Sequence, residues 1–279
     1  MGIERWIDRV KPALRKVRKR IKPLTRPVGR ILERAGILPS HGPEEVHIAG
    51  DLLESLNIRG VMVDVGAHVG SSLAAFLNRG WQVHGFEPDP ANRAALVANH
   101  GDHPRLRIDP RAISDERSDG VAFYSSGEST GVSALKPFLD SHREVDRVAV
   151  ITLQEYCAEV GLDASTIRFL KIDTEGHDLF VLRGFPWSAG SPDAIVCEFE
   201  DRKTVPLGYT HRDLAEFLQQ HGYSLVVSEW YPVQKYGGQH RWRRFALWPT
   251  TLQSDAAWGN FIAIRNPEHF QRLRTRLKV

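Results

Sequence analysis

A glycine-containing turn directly after an apolar strand is the feature that most constrains how this chain folds. The apolar run at 61–65 is typical of a strand buried on both faces of a sheet. The turn that follows has the spacing D-x-G-x-x-x-G, from Asp64 through Gly66 to Gly70, and a helical pattern begins at its end. Glycine lets the backbone approach a ligand closely, and a helix N-terminus favours a negative group. The sequence therefore predicts a ligand-binding turn between the first strand and the first crossover helix.

Strand and helix patterns alternate along most of the chain, which is typical of a parallel sheet with crossover helices. We predict an α/β, Rossmann-like fold: a mostly parallel sheet with helices on both faces and an antiparallel final strand. Residues 119–150 differ, because they contain only short strand-like pieces. The predicted strands are 61–65, 82–86, 105–108, 168–173, 194–199, 223–230 and 261–265, and the predicted helices are 45–57, 70–78, 90–99, 152–160, 178–182 and 210–221.

Charge divides the 279 residues into unequal parts. Residues 1–36 contain 12 Lys and Arg against 3 Asp and Glu, whereas the rest of the chain contains 25 against 31. We predict a basic arm and linker at 1–43, a folded domain at 44–266 and a basic tail at 267–279. The basic character of the chain therefore belongs to the arm and not to the domain.

The arm has an apolar stripe at helical spacing. Arg and Lys fill its other faces, and Pro12, Pro23 and Pro27 divide it into short amphipathic pieces. Such a stripe binds an anionic membrane surface, packs on its own domain or pairs with a partner helix, and the sequence leaves these alternatives open. No nucleic-acid-binding motif accompanies the charge, so no nucleic-acid partner is expected. The stripe consists of Ile3, Ile7, Val10, Leu14, Val17, Ile21, Leu24, Val28 and Ile31.

The remaining composition indicates a reducing compartment. No run of about 18 apolar residues predicts a membrane span, and no secretory apolar segment follows the start. The two cysteines, Cys157 and Cys197, lack a metal-ligand spacing and are expected to pack as small apolar side chains. We expect a cytoplasmic protein, peripheral at the inner face of a membrane if the arm binds lipid.

The spacing of the glycine turn discriminates between two classes of nucleotide ligand. A dinucleotide-binding turn has G-x-G-x-x-G, but His68 occupies the position of its second glycine and would block a pyrophosphate. Asp64 suits the cationic amino group of a methionine moiety. Glu87 ends the second strand 21 residues after Gly66, where a carboxylate accepts hydrogen bonds from ribose hydroxyls. Together these features predict S-adenosylmethionine as the ligand rather than NAD.

Ionisable residues follow the fourth predicted strand in the pattern Lys171-x-Asp173-x-Glu175. The carboxyl ends of parallel strands meet at one edge of the sheet, so Asp173 is expected near the reacting atoms, where it would deprotonate or position an acceptor hydroxyl. Alternatively, Lys171 and Glu175 form a salt-bridged cap for the next helix. Asp173 and Glu198 are also a candidate pair for Mg²⁺, although a structural pairing of Glu198 is favoured.

Several segments in order resemble the FkbM-type methyltransferase family. They are 63–70, 86–88, 112–114, 151–153 and 170–176. The resemblance implies a class I methyltransferase fold, S-adenosylmethionine as methyl donor, and O-methylation, often of sugar or polyketide hydroxyls. It implies that Asp64, Gly66 and Gly70 hold the methionine part, that Glu87 holds the ribose, that Ala112 lies beside the adenine, and that Asp173 lies at the transfer site. The residues themselves add candidates: Ala67, His68, Pro88 and Asp173 for binding the cofactor, and Lys171, Glu175 and His177 for catalysis beside Asp173.

The acceptor side is predicted from two segments. Residues 126–133 are polar and flexible in composition, which is typical of a lid. Residues 230–244 combine aromatic, cationic and glycine residues, which suit either an anionic glycan or a hairpin packed on the sheet edge. We therefore expect an O-methyltransferase acting on a hydroxyl of a glycan or related small molecule. The alternatives are a catalytically silent adenosyl-binding scaffold and, with less support, an NAD-dependent oxidoreductase.

Overall fold

The structure, a computed structural model, describes residues 42–127, 129–236 and 238–279. The predicted amphipathic arm at 1–36 and most of its linker lie outside the described residues. In the part of the chain that is described, no helix combines the length and the apolar character needed to cross a membrane.

The main sheet has eight strands: the seven that the sequence predicts and one further antiparallel edge strand, Trp242–Leu247. Its first five strands in spatial order from one edge are mutually parallel, and the other three run antiparallel to their neighbours. The spatial order is β3-β2-β1-β8-β9-β12-β10-β11. These strands are β1 (Val61–Val65), β2 (Gln82–Phe86), β3 (Leu106–Asp109), β8 (Ile167–Ile172), β9 (Ala194–Glu200), β10 (Ser224–Trp230), β11 (Trp242–Leu247) and β12 (Trp258–Ile264).

A second, four-stranded sheet lies in the region where the sequence showed only short strand-like pieces. Its order is β4-β7-β5-β6, with β5 antiparallel to both β6 and β7. In the segment 126–133, predicted as a lid, residues 129–133 belong to β6, and Gly131 and Ser133 line the cleft described below. The strands are β4 (Ala112–Ile113), β5 (Ser118–Ser126), β6 (Ser129–Ala134) and β7 (His142–Ile151).

Helices cover both faces of the main sheet, as predicted. Successive residues of β1 point to opposite faces, so Val61, Val63 and Val65 pack in one apolar core and Met62 packs in the other. Cys157 and Cys197 are buried and unpaired. The helices are α1 (Glu45–Ser55), α2 (Ala74–Asn78), α3 (Pro90–His100), α4 (Leu153–Val160), α5 (Asp178–Arg183), α6 (Asp201–Thr204), α7 (His211–Gln220) and α8 (Pro267–Leu277).

The C-terminal boundary of the folded domain in the structure differs from the boundary predicted from the sequence. Residues 267–279, set apart there as a basic tail, are mainly helix α8, whose N-terminus is capped by the Asn266 side chain. Leu273 is fully buried in the core beside α1. The apolar stripe of α8 is narrow and interrupted by Arg and His, and its packing partners lie far away in sequence. The basic composition of residues 267–279 therefore gave no indication that helix α8 packs against the sheet.

Candidate active site

A cleft of about 350 Å³ opens at the carboxyl ends of β1, β2 and β8. The chain leaves β1 toward β2 and β3 and later returns to place β8 on the other side of β1, so this is the point where the strand order reverses. Most of the predicted site residues line this one cleft: Gly66, Ala67, His68, Glu87, Pro88, Ala112, Lys171, Asp173, Glu175 and His177.

The glycine turn is held between the ends of β2 and β8. The amides of Gly66 and Ala67 donate to the carbonyl oxygen of Phe86, at 3.0 and 2.9 Å. Gly66 has a φ of +79°, and a Cβ atom at this position would lie 1.9 Å from the carbonyl oxygen of Asp173. Only glycine therefore permits this approach of the turn to β8. His68 is also left-handed, with a φ of +51°.

Glu87 is a buried carboxyl group at the floor of the cleft. Its two oxygens accept hydrogen bonds from the amides of His68 and Asp89, at 2.7 and 2.8 Å. Burial raises the pKa of Glu87 to about 7, although both amide hydrogen bonds oppose this shift. Each carboxyl oxygen keeps acceptor capacity beyond its amide partner, so this group suits the two hydroxyls of a ribose.

Two residues predicted to hold the ligand lie behind the turn and not in the cleft. Asp64 is fully buried, where it accepts from the Ser72 hydroxyl and lies 3.2 Å from the Lys171 ammonium. Gly70 faces the side chains of α3. Burial places Asp64 one layer below the cleft, and its contact with a methionine amino group stays a prediction.

Lys171 connects this buried layer to the cleft. Its ammonium donates to the carbonyl oxygen of Gly66 and lies 3.5 Å from the Asp173 carboxylate. Burial opposes the charge, but Asp64 and Asp173 outweigh it and raise the pKa of Lys171. Lys171 thus remains a cation that fixes the turn.

The far end of the cleft is formed partly by residues that the sequence did not single out. Arg111 precedes Ala112 and forms ion pairs with Asp109 and Glu159, at 2.8 and 2.7 Å. Phe123 of the second sheet also lines this end. Arg111 was detectable only by its position next to the family segment, and Phe123 reaches the cleft only because the second sheet packs there.

At the other end of the cleft, Glu175 belongs to a buried carboxylate cluster around Lys203. The Lys203 ammonium lies 2.6, 3.0 and 2.8 Å from the carboxylates of Glu175, Glu198 and Glu200. The alternative that Lys171 and Glu175 form a salt-bridged cap is not observed, because Glu175 pairs with Lys203. The favoured structural pairing of Glu198 is present.

Burial sets the protonation behaviour of this cluster. It raises the pKa of Glu175 to about 7 and that of Glu198 well above its ordinary value, while the Lys203 charge opposes both shifts. Carboxylate oxygens of Asp173, Glu175 and Glu198 lie within 4.8 Å of one another. Lys203 already supplies a positive charge to two of these three groups.

His177 lies in the cleft wall as a hydrogen-bonded, neutral side chain. Its Nε2 atom lies 2.8 Å from the Ser114 hydroxyl, and its ring stacks on Phe180. Burial lowers the pKa of His177 to about 4. A group with this pKa binds a proton weakly at neutral pH, so the geometry favours a role in holding the β4 end and not in proton transfer.

A second cavity of about 200 Å³ adjoins the cleft, and Gly131, Asp173 and Glu175 line both. The other residues of this second cavity are Val132, Glu198, Glu200, Lys203, Val233, Tyr236, His240 and Trp258.

The segment 230–244 contributes to the second cavity and also forms a hairpin at the sheet edge. Tyr236 and His240 lie in its loop, between β10 and β11. Arg243 and Arg244 both form ion pairs with the buried Glu229 carboxylate. The strands of this segment therefore form the hairpin at the sheet edge, and residues of its loop line the second cavity.

A comparison with known protein families shows the family to which this chain belongs. The family model described as Methyltransferase FkbM domain matches residues 64–225, which is more than half of the chain. The chain belongs to the FkbM methyltransferase family. It is therefore an S-adenosylmethionine-dependent methyltransferase, and the fold class and family expected from the sequence are confirmed.

The chain is also similar to individual proteins. The 31-O-demethyl-FK506 methyltransferase FkbM of Streptomyces tacrolimicus is 30% identical over 202 residues, which cover 61% of this chain and 74% of that protein. The crystal structure of methyltransferase FkbM from Methylobacillus flagellatus KT is 17% identical, with a TM-score of 0.44, over 74% of this chain and 43% of that chain. Magnesium protoporphyrin IX methyltransferase of Synechocystis PCC 6803 is 10% identical, with a TM-score of 0.42, over 80% of this chain and 78% of that one.

The FkbM assignment fits the residues of the cleft. Methyl transfer from S-adenosylmethionine needs a site for a ribose, a purine and a methionine chain. The cleft is lined by the buried carboxyl group of Glu87, by the apolar Ala112 and Phe123 and by the turn residues Gly66 and Ala67.

Proposed function

We propose that this FkbM-family enzyme transfers the methyl group to a hydroxyl of a glycan or related small-molecule acceptor. The observation that carries the proposal is that Asp173 and Glu175 line both the donor cleft and the second cavity. An acceptor in the second cavity would therefore meet the methyl donor beside two carboxyl groups.

In this proposal the two carboxyl groups have different tasks. Asp173 has a half-exposed side chain and hydrogen-bonds the acceptor hydroxyl. Glu175 has a pKa of about 7, which matches a group that accepts a proton at neutral pH. Lys203, at 2.6 Å, holds Glu175 in place. The donor supplies an electrophilic methyl group when bound, and alignment of the hydroxyl oxygen with it provides much of the rate enhancement.

The roles proposed for the donor residues follow from their positions. Gly66, Ala67 and His68 bind the methionine part, Glu87 with neighbouring Pro88 binds the ribose, and Ala112 contacts the adenine. Asp64, Gly70 and Lys171 support the turn from behind or beneath it, and His177 supports the wall of the cleft.

Calorimetry with S-adenosylhomocysteine and NAD tests the donor site. We expect micromolar binding of S-adenosylhomocysteine, no binding of NAD, and loss of binding in Glu87→Ala. Glu216→Gln, an exposed carboxylate on α7, is the matched control and should bind normally. Binding of NAD alone would favour the oxidoreductase alternative and refute the proposal.

A turnover assay tests the hydroxyl acceptor. With tritiated S-adenosylmethionine and a panel of neutral methyl glycosides and polyols, we expect label that survives mild alkali, because methyl ethers resist alkali and methyl esters do not. Asp173→Asn should keep S-adenosylhomocysteine affinity and lose on the order of 100-fold in rate, as expected when a group that positions the acceptor hydroxyl is altered. Alkali-labile label, or full turnover by Asp173→Asn, would contradict O-methyl transfer through this group.

We also propose that the basic arm binds an anionic membrane surface and so holds the enzyme at the membrane. Residues 1–36 contain 12 basic and 3 acidic residues and also the apolar stripe, and both features support membrane binding. Deleting 1–36 should abolish sedimentation with vesicles containing phosphatidylserine while leaving S-adenosylhomocysteine binding unchanged. Equal sedimentation of the deleted chain would favour packing of the stripe on its own domain or on a partner helix.

A further inference from the structure

We propose that the second cavity selects acceptors by charge: it binds a sugar ring or similar polyol that carries no negative charge and excludes carboxylated and phosphorylated acceptors. This inference rests on the proposed function, because it assigns the acceptor site of that reaction and the class of molecule that fits it.

The first argument is the charge of the cavity wall. Asp173 and Glu200 contribute two carboxylates, and Glu175 and Glu198 contribute two further carboxyl groups whose pKa burial raises, against the single ammonium group of Lys203. Lys203 is 4% exposed and already lies within 3.0 Å of three of these carboxyl groups. Its positive charge is thus committed within the wall, and an incoming anion would meet an excess of like charge.

The second argument is that the three arginines of the segment 230–244 are engaged elsewhere. Arg243 and Arg244 pair with Glu229, which is fully buried, and Arg241 lies 4.4 Å over the Tyr231 ring. None of these three lines the second cavity as the structure describes it. An anionic glycan, one alternative left open by the sequence, therefore lacks the arginine fork that it would need.

The third argument is the presence of fixed aromatic rings beside the carboxylates. The Tyr236 hydroxyl donates to Glu200 at 3.1 Å, and Trp258 donates its indole N–H to the carbonyl oxygen of Tyr231 at 2.9 Å. His240 packs edge-on against Trp258, with ring centroids 5.2 Å apart. Aromatic faces suit the C–H surface of a sugar ring, and carboxylates suit its hydroxyls.

Ligand-observed saturation-transfer NMR on the protein loaded with S-adenosylhomocysteine tests the inference. The probes are methyl α-D-glucopyranoside, which is neutral, and the corresponding methyl glucuronide, which has the same ring and one carboxylate. We expect the neutral probe to bind on the order of tenfold more tightly than the glucuronide, as expected for one like-charge contact in a partly screened site.

Two variants change the wall charge in different structural settings. Glu200→Gln removes a buried carboxyl group from the Lys203 cluster, and His240→Lys adds a positive charge at a half-buried loop position. Each should reduce the preference for the neutral probe severalfold, and the loop variant keeps the test decisive if the buried variant fails to fold. Glu216→Gln, on the surface of α7, should leave the preference unchanged.

The outcomes separate the acceptor inference from the donor assignment. Equal or tighter binding of the glucuronide would overturn the inference, as would binding of neither probe to protein that retains S-adenosylhomocysteine. If the wild-type protein did not bind S-adenosylhomocysteine at all, the result would instead refute the proposed function.

Discussion

Replacing Gly66 by alanine tests whether the close approach of the turn to β8 builds the donor site. The new Cβ atom would lie 1.9 Å from the Asp173 carbonyl oxygen, whereas ordinary contact begins at 3.4 Å. The turn or the end of β8 must therefore separate by roughly 1.5 Å to restore van der Waals contact. Because Asp173 lines both cavities, this movement displaces the proposed transfer site.

The expected magnitude has two parts. A left-handed alanine costs about 1 kcal/mol, and forcing an extra carbon into a packed contact costs about 1–3 kcal/mol more. Gly66→Ala should therefore lower the free energy of unfolding by about 2–4 kcal/mol. A displacement of about 1 Å at a reacting group also lowers the transfer rate on the order of 100-fold.

Gly80→Ala is the matched control. Gly80 has a φ of +82°, close to that of Gly66, but a Cβ atom there would meet nothing within 4 Å. Gly80→Ala should lower the free energy of unfolding only by the cost of a left-handed alanine, about 1 kcal/mol. Urea denaturation gives the free energies, and calorimetry with S-adenosylhomocysteine gives the affinities. Equal destabilisation by the two variants, with normal ligand affinity in both, would refute the reasoning.

Three further predictions concern buried charges. Burial raises the pKa of Glu87 from 4.5 to about 7. Between these two pH values the native state keeps a proton that the unfolded chain releases. The free energy of unfolding therefore falls as the pH rises from 4.5 to about 7. Glu87→Gln should remove roughly 2–3 kcal/mol of this fall between pH 5 and 8, and an unchanged pH dependence of urea denaturation would contradict the assignment. Lys171→Met leaves buried Asp64 unpaired and should cost about 3–5 kcal/mol, most of it regained when Asp64→Asn is added; an equally unstable double variant would exclude the pair as the cause. Glu229→Gln weakens two ion pairs and should cost about 1–3 kcal/mol in denaturation without changing S-adenosylhomocysteine affinity, and a weakened affinity would show that this network reaches the donor cleft.

The sequence by itself determined the parts of this protein that depend on short stretches of chain. The apolar run of β1, the spacing of Gly66 and the acid at Glu87 predicted the strand, the turn and the adenosyl site, because each depends on backbone geometry or on a fixed position within one βαβ unit. Periodicity likewise predicted the main sheet and the helices on both faces. These features also identified the family.

The tertiary structure decided which charges meet. A single Lys203 in a polar segment has the same local pattern as a solvated lysine, yet folding places it among Glu175, Glu198 and Glu200. Asp64 had the spacing of a ligand-binding residue, and only the packing of β1 between β2 and β8 put it beneath the cleft. Local sequence encodes backbone conformation, whereas the partner of a buried charge and the cavity beside it depend on segments brought together from distant parts of the chain.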